Sequence, residues 1–98
     1  MSSSPPVPTV SRSVRVLDDL GLHARPAARV AQTARQFRSE VTLSLEGASA
    51  NAKSILDILF LSAPRGASLT LICTGSDALL AAETLSRIFQ NPLLGEDG

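Results

Sequence analysis

The stretch Val41-Thr42-Leu43-Ser44-Leu45-Glu46 alternates apolar and polar side chains without a break. Only a β-strand puts successive side chains on opposite faces, so Val41, Leu43 and Leu45 point one way and Thr42, Ser44 and Glu46 the other. Such a strand has one face to bury and needs a second layer to bury it against. Gly47 follows as a tight turn, and Ala48–Asn51 reads as a short, weak partner strand. Any fold for this chain must therefore cover one side of a sheet built around the 41–52 hairpin.

The flanking segments supply the cover. Residues 13–18 alternate Val14 and Val16 against Arg15 and Leu17, which predicts a strand. From Ala24 to Phe37 the spacing turns helical, with Ala27, Val30, Ala31, Ala34 and Phe37 on one face. Residues 54–61 read as a brief helix starting at Ser54, and residues 68–74 as a strand. Ser76 or Asp77 caps a last helix whose Leu79, Ala82, Leu85, Ile88 and Phe89 form an apolar stripe. The order is βαββαβα, which predicts an α+β fold with a largely antiparallel sheet and helices on one face.

Composition bounds the domain. The 98 residues suit one small core, and with 44% hydrophobic but 3% aromatic residues that core must be aliphatic. Nine basic and nine acidic residues cancel, which argues against a charge-driven nucleic-acid or membrane binder. Locally the balance breaks: six arginines lie between Arg12 and Arg38, against Asp18 and Asp19, a docking face for an acidic partner. Cys73 sits in an apolar run and reads as a buried free thiol. No segment is long and apolar enough to span a bilayer, and the N-terminus lacks the features of a secretory signal. Residues 1–12 read as a poorly ordered Ser/Pro lead-in, with the folded part starting near Ser11 to Ser13; residues 13–90 form the domain and 91–98 a loose tail. A cytoplasmic monomer without cofactor is the expectation.

The chain's one histidine, His23, stands in Gly-Leu-His-Ala-Arg-Pro-Ala-Ala (21–28). Gly21 allows a turn, and Pro26 fits only the first turn of a helix, so the helix begins at or just after His23. The ordinary readings are a surface histidine, a cap or a satisfied core group. One His and one Cys far apart make a poor metal set. A Ser-His-Asp hydrolase lacks its strand-to-helix serine elbow. The local chemistry favours another role. A helix N-terminus presents free N–H groups and partial positive charge, which stabilise an anion. An imidazole there is a nucleophile towards phosphorus, and Arg25 offers a fork of donors for phosphoryl oxygens.

These residues resemble the active-site motif of the HPr family, the histidine-containing phosphocarriers of the bacterial phosphoenolpyruvate-dependent sugar phosphotransferase system. A second stretch, Asn-Ala-Lys-Ser-Ile-Leu-Asp-Ile-Leu-Phe-Leu (51–61), resembles that family's regulatory-serine segment. The resemblance runs from about Ser13 to Gln90. It implies an open-faced β-sandwich, four strands under three helices. It also implies that His23 accepts a phosphoryl group on Nδ1 from Enzyme I and passes it to an EIIA domain, with Arg25 as the active-site arginine. By the same resemblance Ser54 is the target of HPr kinase/phosphorylase, with a catabolite-control transcription factor as a further partner. The molecule is then a phosphoryl relay rather than a free-standing enzyme. A regulatory paralogue of the nitrogen-branch or catabolite-repression type is the alternative.

Around Ser54 the residues also carry a plain structural reading. Ser54 with Asp57 makes a capping pattern. Asp57 departs from the uncharged or basic residue expected of the family, and its charge opposes a phosphate on Ser54. Six apolar residues among 55–61 cannot all face one core from two helical turns. The helix is either deeply buried or presents an apolar docking patch beside His23, with Ile55 and Leu56, and with Ala24 and Ala28 of the first helix. An RNA-recognition module shares part of the element order but needs aromatics on its sheet, and Phe37, Phe60 and Phe89 all fall on helices.

Overall fold

The computed structural model describes residues 7–91. Seven elements follow the expected order: β1 (Thr9–Arg15), α1 (Ala24–Ala34), β2 (Glu40–Leu45), β3 (Ala48–Asn51), α2 (Ile55–Phe60), β4 (Ser68–Thr74) and α3 (Ala78–Phe89). The strands form one sheet in the order β1-β4-β2-β3, and every neighbouring pair is antiparallel. β4 is therefore central. It pairs along its whole length with β1 and, from Thr70 to Thr74, with β2.

The helices pack on one side, and the core lies between them and the sheet. Leu43, Leu69, Leu71 and Cys73 from the sheet meet Val30, Ala31, Ala34, Ile58, Ala82 and Leu85 from the helices, all buried. The opposite face is open. It carries Ser11, Ser13, Thr42, Ser44, Ser49 and Thr70, and the registers place Ile72 among these hydroxyls as an isolated apolar residue. Alternation in β2 and β4 thus translates directly into one buried and one hydroxylated face. Cys73 is fully buried, and burial pushes its thiol pKa up.

Two elements differ from the sequence reading by more than a residue at an end, and a third in which residues it buries. β1 starts at Thr9 and ends at Arg15, rather than running over 13–18. Residues 9–12, expected in the poorly ordered lead-in, are paired with β4, and the order extends to Pro8, whose carbonyl accepts from Gly75 N at 3.0 Å. The reason lies in the pattern: the helix-facing positions are Val10, Arg12 and Val14, and Arg12 breaks the apolar period. Residues 1–6, and 92–98 of the expected tail, lie outside the described residues. α1 ends at Ala34 instead of Phe37 because the chain tightens there, with Gln36 N bonding Thr33 O and Phe37 N bonding Ala34 O. In α3 the buried stripe is Ala78, Ala81, Ala82, Leu85 and Phe89, while Leu79 is exposed. Small alanines, not leucines, face the sheet in the first turns of that helix.

Asp77 occupies the N-cap position of α3 but does not cap its own helix. Its carboxylate instead accepts from the hydroxyl and amide of Ser39 and from the amide of Arg38, tying the start of α3 to the start of β2. These donors, the Ser39 hydroxyl first, hold its pKa down at about 2.

Candidate functional site

His23 lies at the N-cap of α1 in extended backbone, with φ −82° and ψ −169°. Its carbonyl accepts from Ala27 N at 3.0 Å, the first bond of the helix, while its side chain caps nothing. The ring is partly exposed at this helix start. The loop before it is pinned from two directions. Gly21 N donates to Asp18 O at 2.9 Å, closing a turn, and Leu22 N donates to Ala63 O at 2.9 Å, docking the loop on the turn after α2. Gly21 has φ +75°, and a Cβ there would meet Ala63 O at 2.6 Å, so glycine is required both for conformation and for space. The loop therefore presents His23 on a fixed base.

Behind the ring, Pro26 is buried in the first turn of α1. It has no N–H to leave unpaired, so the free amides at this helix start are those of Ala24 and Arg25. Arg25 itself is exposed, as is Ala24, and Ala28 is half-buried. The helix end and its free amides thus put positive character beside the imidazole, and Arg25 adds an exposed cation two residues on.

The structure adds a group that the sequence reading left in the background. Asp18 Oδ1 lies 3.3 Å from His23 Nε2, with the two side chains 19% and 32% exposed. The same oxygen accepts from Leu20 N at 2.9 Å. Asp18 had counted only as an opposing charge among arginines. The available signal was its place at the head of Asp-Asp-Leu-Gly, where an aspartate readily closes an Asx turn. Asp19 does something different: it pairs at 3.1 Å with Arg65, and both are exposed.

Ser54 caps α2, its Oγ accepting from Asp57 N at 3.3 Å, so the capping reading holds geometrically. The Asp57 carboxylate faces back toward Asn51 N at 3.4 Å. Of the apolar residues in α2, Ile58 alone is fully buried; Ile55 and Leu59 are partly buried against the core. Leu56 is 67% exposed and Phe60 82%, one helical turn apart, so the helix does present apolar surface. Phe60, which the sequence reading did not select, is the more exposed of the two, and their four-residue spacing was the signal. α1 packs on α2, which places this surface on the same layer as the helix that His23 begins. Leu20, in the loop before His23, is exposed as well.

Comparison with known proteins settles what kind of molecule this is. The family described as "PTS HPr component phosphorylation site" matches residues 10–91. The chain belongs to the HPr family. Phosphocarrier protein HPr of Treponema pallidum is 40% identical over 82 residues, covering 84% of this chain and 93% of that one. The crystal structure of an HPr from Bacillus anthracis superposes with a TM-score of 0.76 at 38% identity, covering 81% of this chain and 94% of that chain. HPr-C-His from Thermoanaerobacter tengcongensis gives a TM-score of 0.83 at 31% identity, with 91% and 99% covered. The open-faced sheet under three helices is thus the HPr fold, and this HPr-family chain is a phosphocarrier of the phosphotransferase system. No helix among the described residues is long and apolar enough to cross a membrane.

Proposed function

We propose that His23 is the phosphoryl-bearing residue, taking the group on Nδ1 from phosphorylated Enzyme I and giving it to an EIIA domain during sugar uptake. The observation that carries this reading is the His23 ring at the open N-terminus of α1, with its Nε2 edge turned to Asp18. Nδ1 is then the nitrogen left for phosphorus. Arg25 and the amides of Ala24 and Arg25 bind the phosphoryl oxygens. Leu56 and Phe60, with Ile55, Ala24 and Ala28, provide the apolar surface on which both partners seat in turn, and the arginines of the first third steer acidic partners to it. The protein works in the cytoplasm as a monomeric relay, not as a free-standing enzyme.

Ser54 is the proposed second phosphorylation site, for HPr kinase/phosphorylase, through which the carrier would also answer to a catabolite-control transcription factor. Its hydroxyl stands at a helix start, where a phosphate is electrostatically favoured, but Asp57 in the same turn opposes it. Modification at Ser54 should therefore be slow.

The test is incubation with phosphoenolpyruvate and Enzyme I, followed by intact-mass measurement and acid treatment. One acid-labile phosphate is expected, absent in His23→Ala. Label that persists in His23→Ala would remove His23 from the role. For Ser54, ATP and the kinase should give an acid-stable phosphate that Ser54→Ala lacks.

A further inference from the structure

We propose that Asp18 is a positioning residue for phosphoryl transfer: its carboxylate holds the ring proton of His23 on Nε2 and balances the charge the ring gains on phosphorylation. This rests on His23 being the phosphoryl acceptor.

The carboxylate is in place before the ring needs it. Asp18 Oδ1 accepts from Leu20 N at 2.9 Å and Asp18 O from Gly21 N at 2.9 Å, so the turn is closed by backbone donors alone. Leu22 N on Ala63 O then fixes the far end of the loop. The 3.3 Å approach of Oδ1 to Nε2 follows from these bonds rather than causing them. An ionised carboxylate only accepts, so the ring nitrogen facing it favours the state that carries hydrogen. A neutral imidazole has one N–H and one lone pair, and the lone pair falls to Nδ1.

That assignment matters for the transfer step. The Nδ1 lone pair forms the bond to phosphorus, while the bond from phosphorus to the donor breaks and its electron pair leaves with the donor. The proton on Nε2 stays where it is. The ring gains one positive charge, opposite the Asp18 carboxylate. On onward transfer the N–P electron pair returns to Nδ1 and the ring is neutral again. No proton enters or leaves in either direction. With the proton on Nδ1 instead, it would have to be lost before attack. Of the other charged groups around the loop, Asp19 pairs with Arg65, and Arg25 is exposed in the first turn of α1.

The test compares wild type with Asp18→Ser and Asp18→Asn, each with ¹⁵N-labelled histidine. Serine keeps an acceptor for the Leu20 amide but is short and neutral; asparagine keeps an acceptor near Nε2 but has no charge. Ring nitrogen spectra at alkaline pH should show Nε2–H dominant in wild type and Asp18→Asn, and a mixture with Nδ1–H in Asp18→Ser. Phosphorylation by Enzyme I should slow about tenfold in Asp18→Ser and by less in Asp18→Asn, at unchanged thermal midpoint. Wild-type spectra and rates in both variants would overturn the proposal, as would a slower rate that tracks a lowered midpoint with no tautomer change. If Asp18→Ser does not fold, the rate loss in Asp18→Asn decides. A wild-type protein that takes no phosphate would sink the acceptor role of His23, while the ring spectra would still report whether Asp18 sets the tautomer.

Discussion

Gly21→Ala is the most informative single change, because Gly47 supplies its control. Both glycines have positive φ, +75° and +87°, so alanine suffers similar backbone strain at each. That strain, about 1–2 kcal/mol, is partly offset by the lower entropy of the unfolded alanine chain. The surroundings differ. A Cβ at Gly47 meets nothing within 4 Å, whereas at Gly21 it meets Ala63 O at 2.6 Å and Pro64 Cα at 3.1 Å. Both obstacles are backbone and cannot rotate away. Ala63 O must retreat to an ordinary contact distance of at least 3.4 Å, and it is the acceptor for Leu22 N. Overpacking costs about 1–3 kcal/mol and the weakened hydrogen bond about 0.5–1.5 kcal/mol. Gly21→Ala should therefore be about 2–4 kcal/mol less stable than Gly47→Ala in urea unfolding. At ~4–8 °C per kcal/mol for a domain of this size, the thermal midpoints should differ by at least about 8 °C. Phosphorylation by Enzyme I should slow in Gly21→Ala even below its midpoint, because the displaced loop carries His23. Equal stabilities for the two variants, within about 0.5 kcal/mol, would refute the claim that the Ala63 contact fixes the loop.

Other perturbations read other parts of the structure. Asp77 has a folded-state pKa of about 2 against an ordinary 3.8, so its contribution is present above pH 4 and lost as pH falls toward 2. Unfolding measured across that window should weaken in wild type and vary less in Asp77→Asn. Ser54→Ala removes the acceptor for Asp57 N and should cost about 0.5–2 kcal/mol, seen as a lower urea midpoint. Leu56→Ser and Phe60→Ser alter exposed side chains, so stability should stay within about 0.5 kcal/mol. The affinity for Enzyme I, measured by titration calorimetry, should fall in both.

The strands were legible where one face alone carries apolar residues. β4 matches its predicted span, and β2 differs by one residue at each end, because Leu43, Leu69 and Leu71 alternate with hydroxyl residues. β1 was misplaced because Arg12 occupies a helix-facing position, and alternation cannot see past it. The candidate site was half legible. His23, Arg25 and Pro26 follow one another along the chain, so helix-start chemistry places them together. The Asp18 contact needs a turn to bring residues five apart side by side, and no spacing rule specifies that turn. For α2, composition posed the question of burial or exposure, and only packing answered it: Ile58 inward, Leu56 and Phe60 outward. The role of Asp77 was hidden for the same reason, since its donors lie 38 and 39 positions away.

The uncovered face of the sheet bears on how the molecule behaves in a crowd. A flat sheet with a bare apolar face invites stacking on its own copies. Here that face is a field of serine and threonine hydroxyls around Ile72, which water wets readily. Collisions on that side should slide apart, whereas those on the helical side meet the side chains of Leu56 and Phe60. If the proposed docking on Leu56 and Phe60 holds, a shuttle that must leave each partner as readily as it finds the next would be adhesive on the helical side and inert on its back.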